Sequence, residues 1–404
     1  MMLIGSMICY RNRYLSISIH DISIMTGKNR YNFPVGYHKF HKKQLFNFQL
    51  NRWYSLGYSR FEDIKNIGQN IKNFDDWKSE MLKLAEKAES ENRLINSAFY
   101  YRAAEFYILE ENSEKKQIYD KFSNLFYKAI ELDDIERFKI PYDNGFLPAL
   151  RISPMNEKKG TLIVHGGFDS FIEEWYSPMQ YFSNLGYEVI GFEGPGQGAA
   201  LRKYKIFLDW KWEKPAKAAL DYFNLDDVSW LGISMGGWFC FRAAAFEPRI
   251  KRVIASSISY DYMKTMNFFL RKLHLMFVKN MRDYSNKMVL KGIKKGNGAQ
   301  AWTAAQLMYI TGKEKPMDAF DIWLELNENN LHSNMVKQDV LILTGRNDHF
   351  IPFKAHDMQI KALTNVKSIT AKVFTKETQA HNHCQIGNIG LSLDIMEKWI
   401  KEKS

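Results

Sequence analysis

Residues 228–247, VSWLGISMGGWFCFRAAAFE, hold a serine between two glycines at Gly232-Ile233-Ser234-Met235-Gly236, with Gly237 directly behind. An apolar run leads into the pentapeptide, and alanines and aromatics at helical spacing lead out of it. That is strand, sharp turn and helix. A serine at such a turn needs small residues two positions away on each side, because strand and helix close around it. Gly232 and Gly236 meet that need. The turn lifts the Ser234 hydroxyl above a sheet edge and points the Met235 amide, at the helix start, toward whatever the hydroxyl attacks. The chemistry this suits is nucleophilic attack on a carbonyl. A lone G-x-S-x-G also occurs in loops that do nothing, so the flanking strand, helix and third glycine carry the argument.

A serine hydroxyl attacks only when a base takes its proton, and the base needs an acid to orient it. In strand-turn-helix hydrolases the chain order is nucleophile, acid, base. After the apolar run VLILTG comes RNDHFIP (346–352), which puts Asp348 in a loop at the carboxyl end of a strand. A further strand ends near Phe374 and leads into QAHNHCQ (379–385), which offers both His381 and His383. The residues alone leave that choice open. His381, His383 and Cys384 also look like part of a zinc site, but zinc needs three or four ligands and no second Cys or His pair has suitable spacing. No metal and no cofactor are expected, and Cys384 reads as buried packing.

The electrostatic half of the site is expected at His165-Gly166-Gly167-Phe168-Asp169-Ser170, a glycine turn after the strand 161–164. The amide of Gly167 or Phe168, paired with that of Met235, would complete an oxyanion hole. The next strand closes with Glu193-Gly194-Pro195-Gly196-Gln197-Gly198, a tight structural turn with no Gly-Lys-Ser/Thr to make it a phosphate loop.

These residues need a sheet to hold them. Strand-length apolar runs at 161–164, 187–192, 228–233, 250–256, 340–343 and 368–374 alternate with helical stretches, which argues for a mainly parallel sheet covered on both faces. Before them, 136–152 reads as a hairpin around Asp143-Asn144-Gly145. Three amphipathic helices are expected between residues 73 and 132, the third beginning with Ser113 as its N-cap, while the pattern up to about residue 70 is irregular. Residues 260–337 interrupt two strands and contain a glycine-rich stretch at 292–298, a length that suits a lid or, equally, helical filler with a surface loop. The expected division is a basic N-terminal arm (1–40), a helical cap (41–135) and a catalytic domain (136–404), with 260–337 as a lid-forming insertion.

With 404 residues, 46% of them hydrophobic, the chain is long enough for such a domain with a substantial cap. Three scattered cysteines rule out a disulfide framework and fit a reducing compartment. The apolar opening is too short for a membrane span and lacks a secretory pattern, so the expected location is cytoplasmic; Met25 is an alternative start. Of the formal charge of +11, residues 1–60 carry +8, which places the basicity in the arm and not in the body. An arm packed on its own domain explains that better than nucleic-acid binding. The expected partner is a small-molecule substrate, with no nucleic acid and with homodimer formation left open.

The order HGGFDS (165–170), GPGQG (194–198), GISMGG (232–237), RAAAFEPR (242–249) and His383-Cys384-Gln385 resembles the α/β-hydrolases grouped with the fermentation-respiration-switch (FrsA-like) esterases and 2,6-dihydroxypseudooxynicotine hydrolase. SAFYYRAAE (97–105) resembles that family's N-terminal cap, and the likeness covers most of residues 40–404. The resemblance implies an α/β-hydrolase fold, a pocket between cap and sheet, and a triad of Ser234, Asp348 and His383, since the family places its histidine directly before Cys-Gln. It also implies cleavage of an ester or of a β-diketone-like carbon–carbon bond. Some carbon–carbon hydrolases use another acid, for which Asp261 and Glu174 are the guesses here. Two other readings stand beside it: a serine peptidase of the prolyl-oligopeptidase type, and a small-molecule-binding module that keeps the fold without catalysis.

Overall fold

Central strands of this chain are apolar on both faces, so they must be covered on both, and the structure shows how. The computed structural model describes residues 32–404 apart from positions 110 and 297. Most of the basic arm, with Met25 and Cys9, lies outside the described residues. Eight strands form one sheet: β1 (Ile135–Tyr142), β2 (Gly145–Ile152), β3 (Gly160–His165), β4 (Tyr187–Phe192), β5 (Val228–Ile233), β6 (Ile250–Ser256), β7 (Asp339–Gly345) and β8 (Ser368–Phe374). Their spatial order is β1-β2-β4-β3-β5-β6-β7-β8. The hairpin β1–β2 and the β2–β4 pair are antiparallel, and the rest of the ladder is parallel. This is the α/β-hydrolase fold. Every residue of β5 is buried, as a strand sandwiched between helical layers requires.

Two apolar cores lie on the two faces. One joins the sheet to the N-terminal helices and the last helix, Ile389–Lys403; the other joins it to the helices Glu213–Tyr222 and Gly236–Phe246. The N-terminal segment differs from expectation in three ways. First, Gln44–Ser55 is a twelve-residue helix where the sequence reads as irregular, and nearly all of it is buried. Its polar residues hide the amphipathic period because they face inward to specific partners: Asn51 bonds both the amide and the carbonyl of His38, and Arg52 reaches Asp169. Second, the helix Leu94–Phe106 is buried on every side from Ser97 onward, so it is the centre of the helical layer and not an amphipathic surface element. Third, the cap of Ser113–Ala129 is Asn112, whose side chain accepts the Lys115 amide, and not Ser113.

Residues 32–40 run extended against the body, held where the Gly36 amide donates to the Gly387 carbonyl (2.7 Å) and the Tyr37 amide donates to Gln379. Between β6 and β7 the chain forms helices, including Phe268–Asn280, Arg282–Lys294, Ala299–Thr311 and Pro316–Leu324. The third of these reaches the N-terminal layer, with Trp302 stacked on Phe106 and donating Nε1–H to its carbonyl. Among the described residues no helix is long and apolar enough to cross a membrane.

Candidate active site

β5 ends at Ile233, and the next residue, Ser234, takes φ +62°, a left-handed conformation that a side chain tolerates only at a cost of about 1–3 kcal/mol. The turn holds it there. The Ser234 amide donates to the Ser256 carbonyl at the end of β6 (2.8 Å), and Gly237 closes back on the Ser234 carbonyl (2.9 Å). A Cβ on Gly232 would stand 2.0 Å from the Gly236 carbonyl oxygen, so the crossing of strand and helix demands the glycine.

The side chains expected from three distant stretches meet. His383 Nε2 lies 2.9 Å from Ser234 Oγ, and His383 Nδ1 lies 2.7 Å from Asp348 Oδ2. The other Asp348 oxygen accepts the amides of Phe350 and Ile351, both at 2.9 Å, which fixes the carboxylate in its loop after β7. Burial alone would favour neutral forms of both groups, but each charge outweighs it for the other: Asp348 holds His383 well above the ordinary histidine value, and His383 with the two amides holds Asp348 below the carboxylate range. In the neutral ring, Asp348 keeps the proton on Nδ1 and leaves Nε2 to accept from the serine.

Sequence reasoning missed Ser257. Its hydroxyl donates to Asp348 Oδ2 (3.1 Å) and accepts the Cys384 amide (3.0 Å), tying the acid's loop to the histidine's loop. It also missed Phe48 of the helix Gln44–Ser55, whose ring packs 5.9 Å from that of His383 and 4.8 Å from that of His349. No local signal marks either residue. His381 is placed elsewhere: its ring lies edge-on to Tyr37 (6.2 Å), away from Ser234. Cys384 is half-buried and not fully packed away.

The expected oxyanion residues stand beside the serine. A Cβ on Gly167 would come within 2.7 Å of the Met235 nitrogen, so the two turns touch. The Gly167 amide makes a long bond to Ser170 Oγ (3.4 Å), whereas the amides of Met235 and Phe168 have no acceptor among the described residues. The carbonyls of this turn are drawn outward from three directions. Gln197 donates to those of Gly166 and Gly167, Gln306 to that of Phe168, and Arg102 to that of Asp169 (2.6 Å). The GPGQG turn therefore does more than close a strand, since its glutamine braces this loop. His165 turns inward against Trp212, and burial pushes its ring down to about 3, which keeps it neutral.

The two guesses for an extra acid fall outside the triad. Asp261 caps the short helix Tyr262–Thr265, accepting the Lys264 amide. Glu174 is fully buried in an ion cluster, bound by Arg52 and Arg102. Arg102 also bonds Glu105 (2.7 Å), whose carboxyl is pushed down to about 2; burial opposes this, but Arg202, Lys115 and Arg102 outweigh it. Removing one member leaves buried carboxylates short of a partner. Arg102→Met is therefore expected to cost about 3–5 kcal/mol in urea unfolding, and Arg102→Lys to recover only part, because an ammonium cannot reproduce the fork. A change under about 1 kcal/mol would show the cluster to be energetically slack. Among the described residues no group of three His, Cys, Asp or Glu could hold a metal ion.

A cavity of about 530 Å³ opens between the helices Phe268–Asn280 and Pro316–Leu324, lined by Tyr262, Leu275, Trp323 and Leu324 and bordered by Asp261. None of the triad residues lines it. Its link to the site is Trp323, whose ring meets that of Phe168 edge-on at 5.6 Å.

Residues 162–301 match the family described as the alpha/beta hydrolase fold. The alpha/beta hydrolase psoB of Aspergillus fumigatus is 26% identical over an alignment of 426 positions that spans 91% of this chain and 94% of that protein. The 20-hydroxy-prefusarin hydrolase of Gibberella moniliformis is 28% identical over 63% of this chain and 66% of its own. The crystal structure of the 2,6-dihydroxy-pseudo-oxynicotine hydrolase superposes with a TM-score of 0.62, covering 87% of this chain and 94% of that one at 19% identity, which is a likeness of fold.

Proposed function

We propose, from the premise that this chain is an α/β-hydrolase, that it is a serine hydrolase cleaving a small carbonyl substrate, either a carboxylic ester or a β-diketone-like carbon–carbon bond. The observation that carries this reading is the unbroken hydrogen-bond path from Ser234 Oγ through His383 to Asp348, with the serine on a left-handed turn. His383 takes the Ser234 proton as Oγ attacks the carbonyl. The tetrahedral oxygen rests on the amides of Met235 and of Phe168 or Gly167, a pair in which each donor is worth about 100- to 1000-fold in rate. His383 then gives its proton to the departing alcohol or carbanion, and water releases the acyl group from Ser234 by the same route in reverse. Residues 41–135 serve as the cap, and the insertion 260–337 forms the other wall of the substrate space.

One relative is named for a prefusarin, which supports a small organic compound over a peptide. A peptidase of the propeller-bearing kind fits poorly, since every regular element described between residues 44 and 129 is a helix and none is a strand. The test is labelling of the intact protein with a fluorophosphonate, followed by a screen of aryl esters against 1,3-diketones. An adduct on Ser234, absent in Ser234→Ala, is the expected result. No adduct under conditions where the protein is folded would turn the reading toward a binding module.

A further inference from the structure

Nine of the twenty large apolar side chains that the described surface exposes fall between residues 262 and 288. Seven of them lie on the helices Phe268–Asn280 and Arg282–Lys294, and the first of these buries only Val278. Phe269 is 77% exposed, Phe268 61% and Leu270 58%. Phe269, Leu273 and Met276 follow four- and three-residue spacing, so they form one stripe along the helix. A soluble surface rarely leaves such a stripe uncovered without a partner for it.

The charge beside it selects the partner. Residues 262–295 contain nine Lys and Arg against the single acid Asp283, a local +8. The expectation that the basicity belongs to the arm and not to the body is therefore corrected: the body's small net charge conceals a strongly basic hairpin offset by acids elsewhere. Lys264 is neutralised by Glu328, and Arg282 by Asp318 and Asp321. Lys272, Lys279, Lys287 and Lys291 form no ion pair among the described residues. A two-fold dimer through this face would set the unpaired lysines of one copy against those of the other, which disfavours a second copy as the occupant.

We propose that this helical hairpin is a peripheral docking surface for an anionic lipid bilayer. The phenylalanines and leucines enter the boundary between headgroups and acyl chains, and the lysines on either side extend their methylene stems along it to reach lipid phosphates. Aromatic and aliphatic tips flanked by flexible cations suit a fluid, laterally mobile surface; an acidic protein would have to match each lysine with a fixed partner. The surface stands apart from the triad: none of Phe268, Phe269, Lys272 and Lys287 is bonded to Ser234, His383 or Asp348.

The experiment is co-sedimentation of the full chain with vesicles of phosphatidylcholine alone and of phosphatidylcholine with phosphatidylglycerol. Binding is expected to the anionic vesicles only, falling as salt rises. The double change Phe268→Ser with Phe269→Ser, and separately Lys272→Glu with Lys287→Glu, should each lower partitioning at least about tenfold while circular dichroism stays unchanged. Equal binding to both vesicle types, no binding to either, or anionic binding that both variants leave intact would overturn the proposal. So would a dimer, seen by light scattering, that the phenylalanine variant dissolves, because the face would then belong to a second copy.

Discussion

Ser234→Ala is expected to lower turnover by about a millionfold while leaving the unfolding free energy within about 1 kcal/mol of the parent. The kinetic loss is large because the alanine retains the oxyanion amides but has no atom to form the acyl-enzyme. The stability change is small because the lost Oγ hydrogen bond reaches only a half-buried position, and the left-handed turn is imposed by its surroundings, through the Ser256 carbonyl and the glycine crossing, whichever residue occupies it. His383→Ala should cost about as much, and the double variant hardly more, since a serine without a base and a base without a serine fail at the same step. Steady-state rates on an aryl ester check this. Loss that adds between the two variants, or residual activity above about 1%, would mean that another nucleophile is at work.

Asp348→Asn is expected to lower kcat by roughly 10⁴-fold and to move the pH profile in a defined direction. His383 works as a base only when neutral, so kcat/KM should rise as pH climbs through its pKa, which the Asp348 carboxylate holds above the ordinary value of 6.5. The asparagine takes away the charge that favours imidazolium and leaves burial, which disfavours it. The rising limb of the residual activity should therefore shift to lower pH. A limb that stays in place would show that Asp348 does not set the protonation of His383. The same pair also links stability to pH. Asp348, with its folded pKa depressed, contributes stability above its unfolded pKa that is lost as pH falls through the folded one; His383, raised on folding, contributes stability at low pH that fades as pH rises through its folded value. Unfolding midpoints of parent and Asp348→Asn should converge in strong acid, where the carboxylate is protonated.

What the chain states locally, it states well. A glycine two residues either side of Ser234, a carboxylate after the apolar run of β7 and a histidine loop after β8 are all encoded within a few residues, because turns and strand ends depend on φ range and side-chain size near the turn itself. Five of the six parallel strands, β3 to β7, are legible for the same reason: largely buried, they read as short apolar runs, whereas the edge strand β8 is mostly exposed. The helix Gln44–Ser55 was not legible. Its inward asparagines and arginine invert the usual pattern, and a polar residue reads as buried only when its distant partner is known.

The sequence by itself determined the elbow at Ser234, the strand ends that carry Asp348 and the histidine loop, and the sheet that lines them up. Taken alone it could not choose between His381 and His383; the family likeness did so, and the tertiary structure places the ring of His383 against Ser234, 149 positions away in the chain. Only the three-dimensional packing decided that Phe48 covers that ring, that Ser257 joins the two loops, that Arg102 and Gln306 draw back the carbonyls beside the serine, and that an apolar, basic helix faces outward. The physical reason is one of range: backbone conformation answers to neighbours in sequence, whereas the partner of a buried charge, and the face of a helix left without one, answer to whatever the rest of the chain brings alongside.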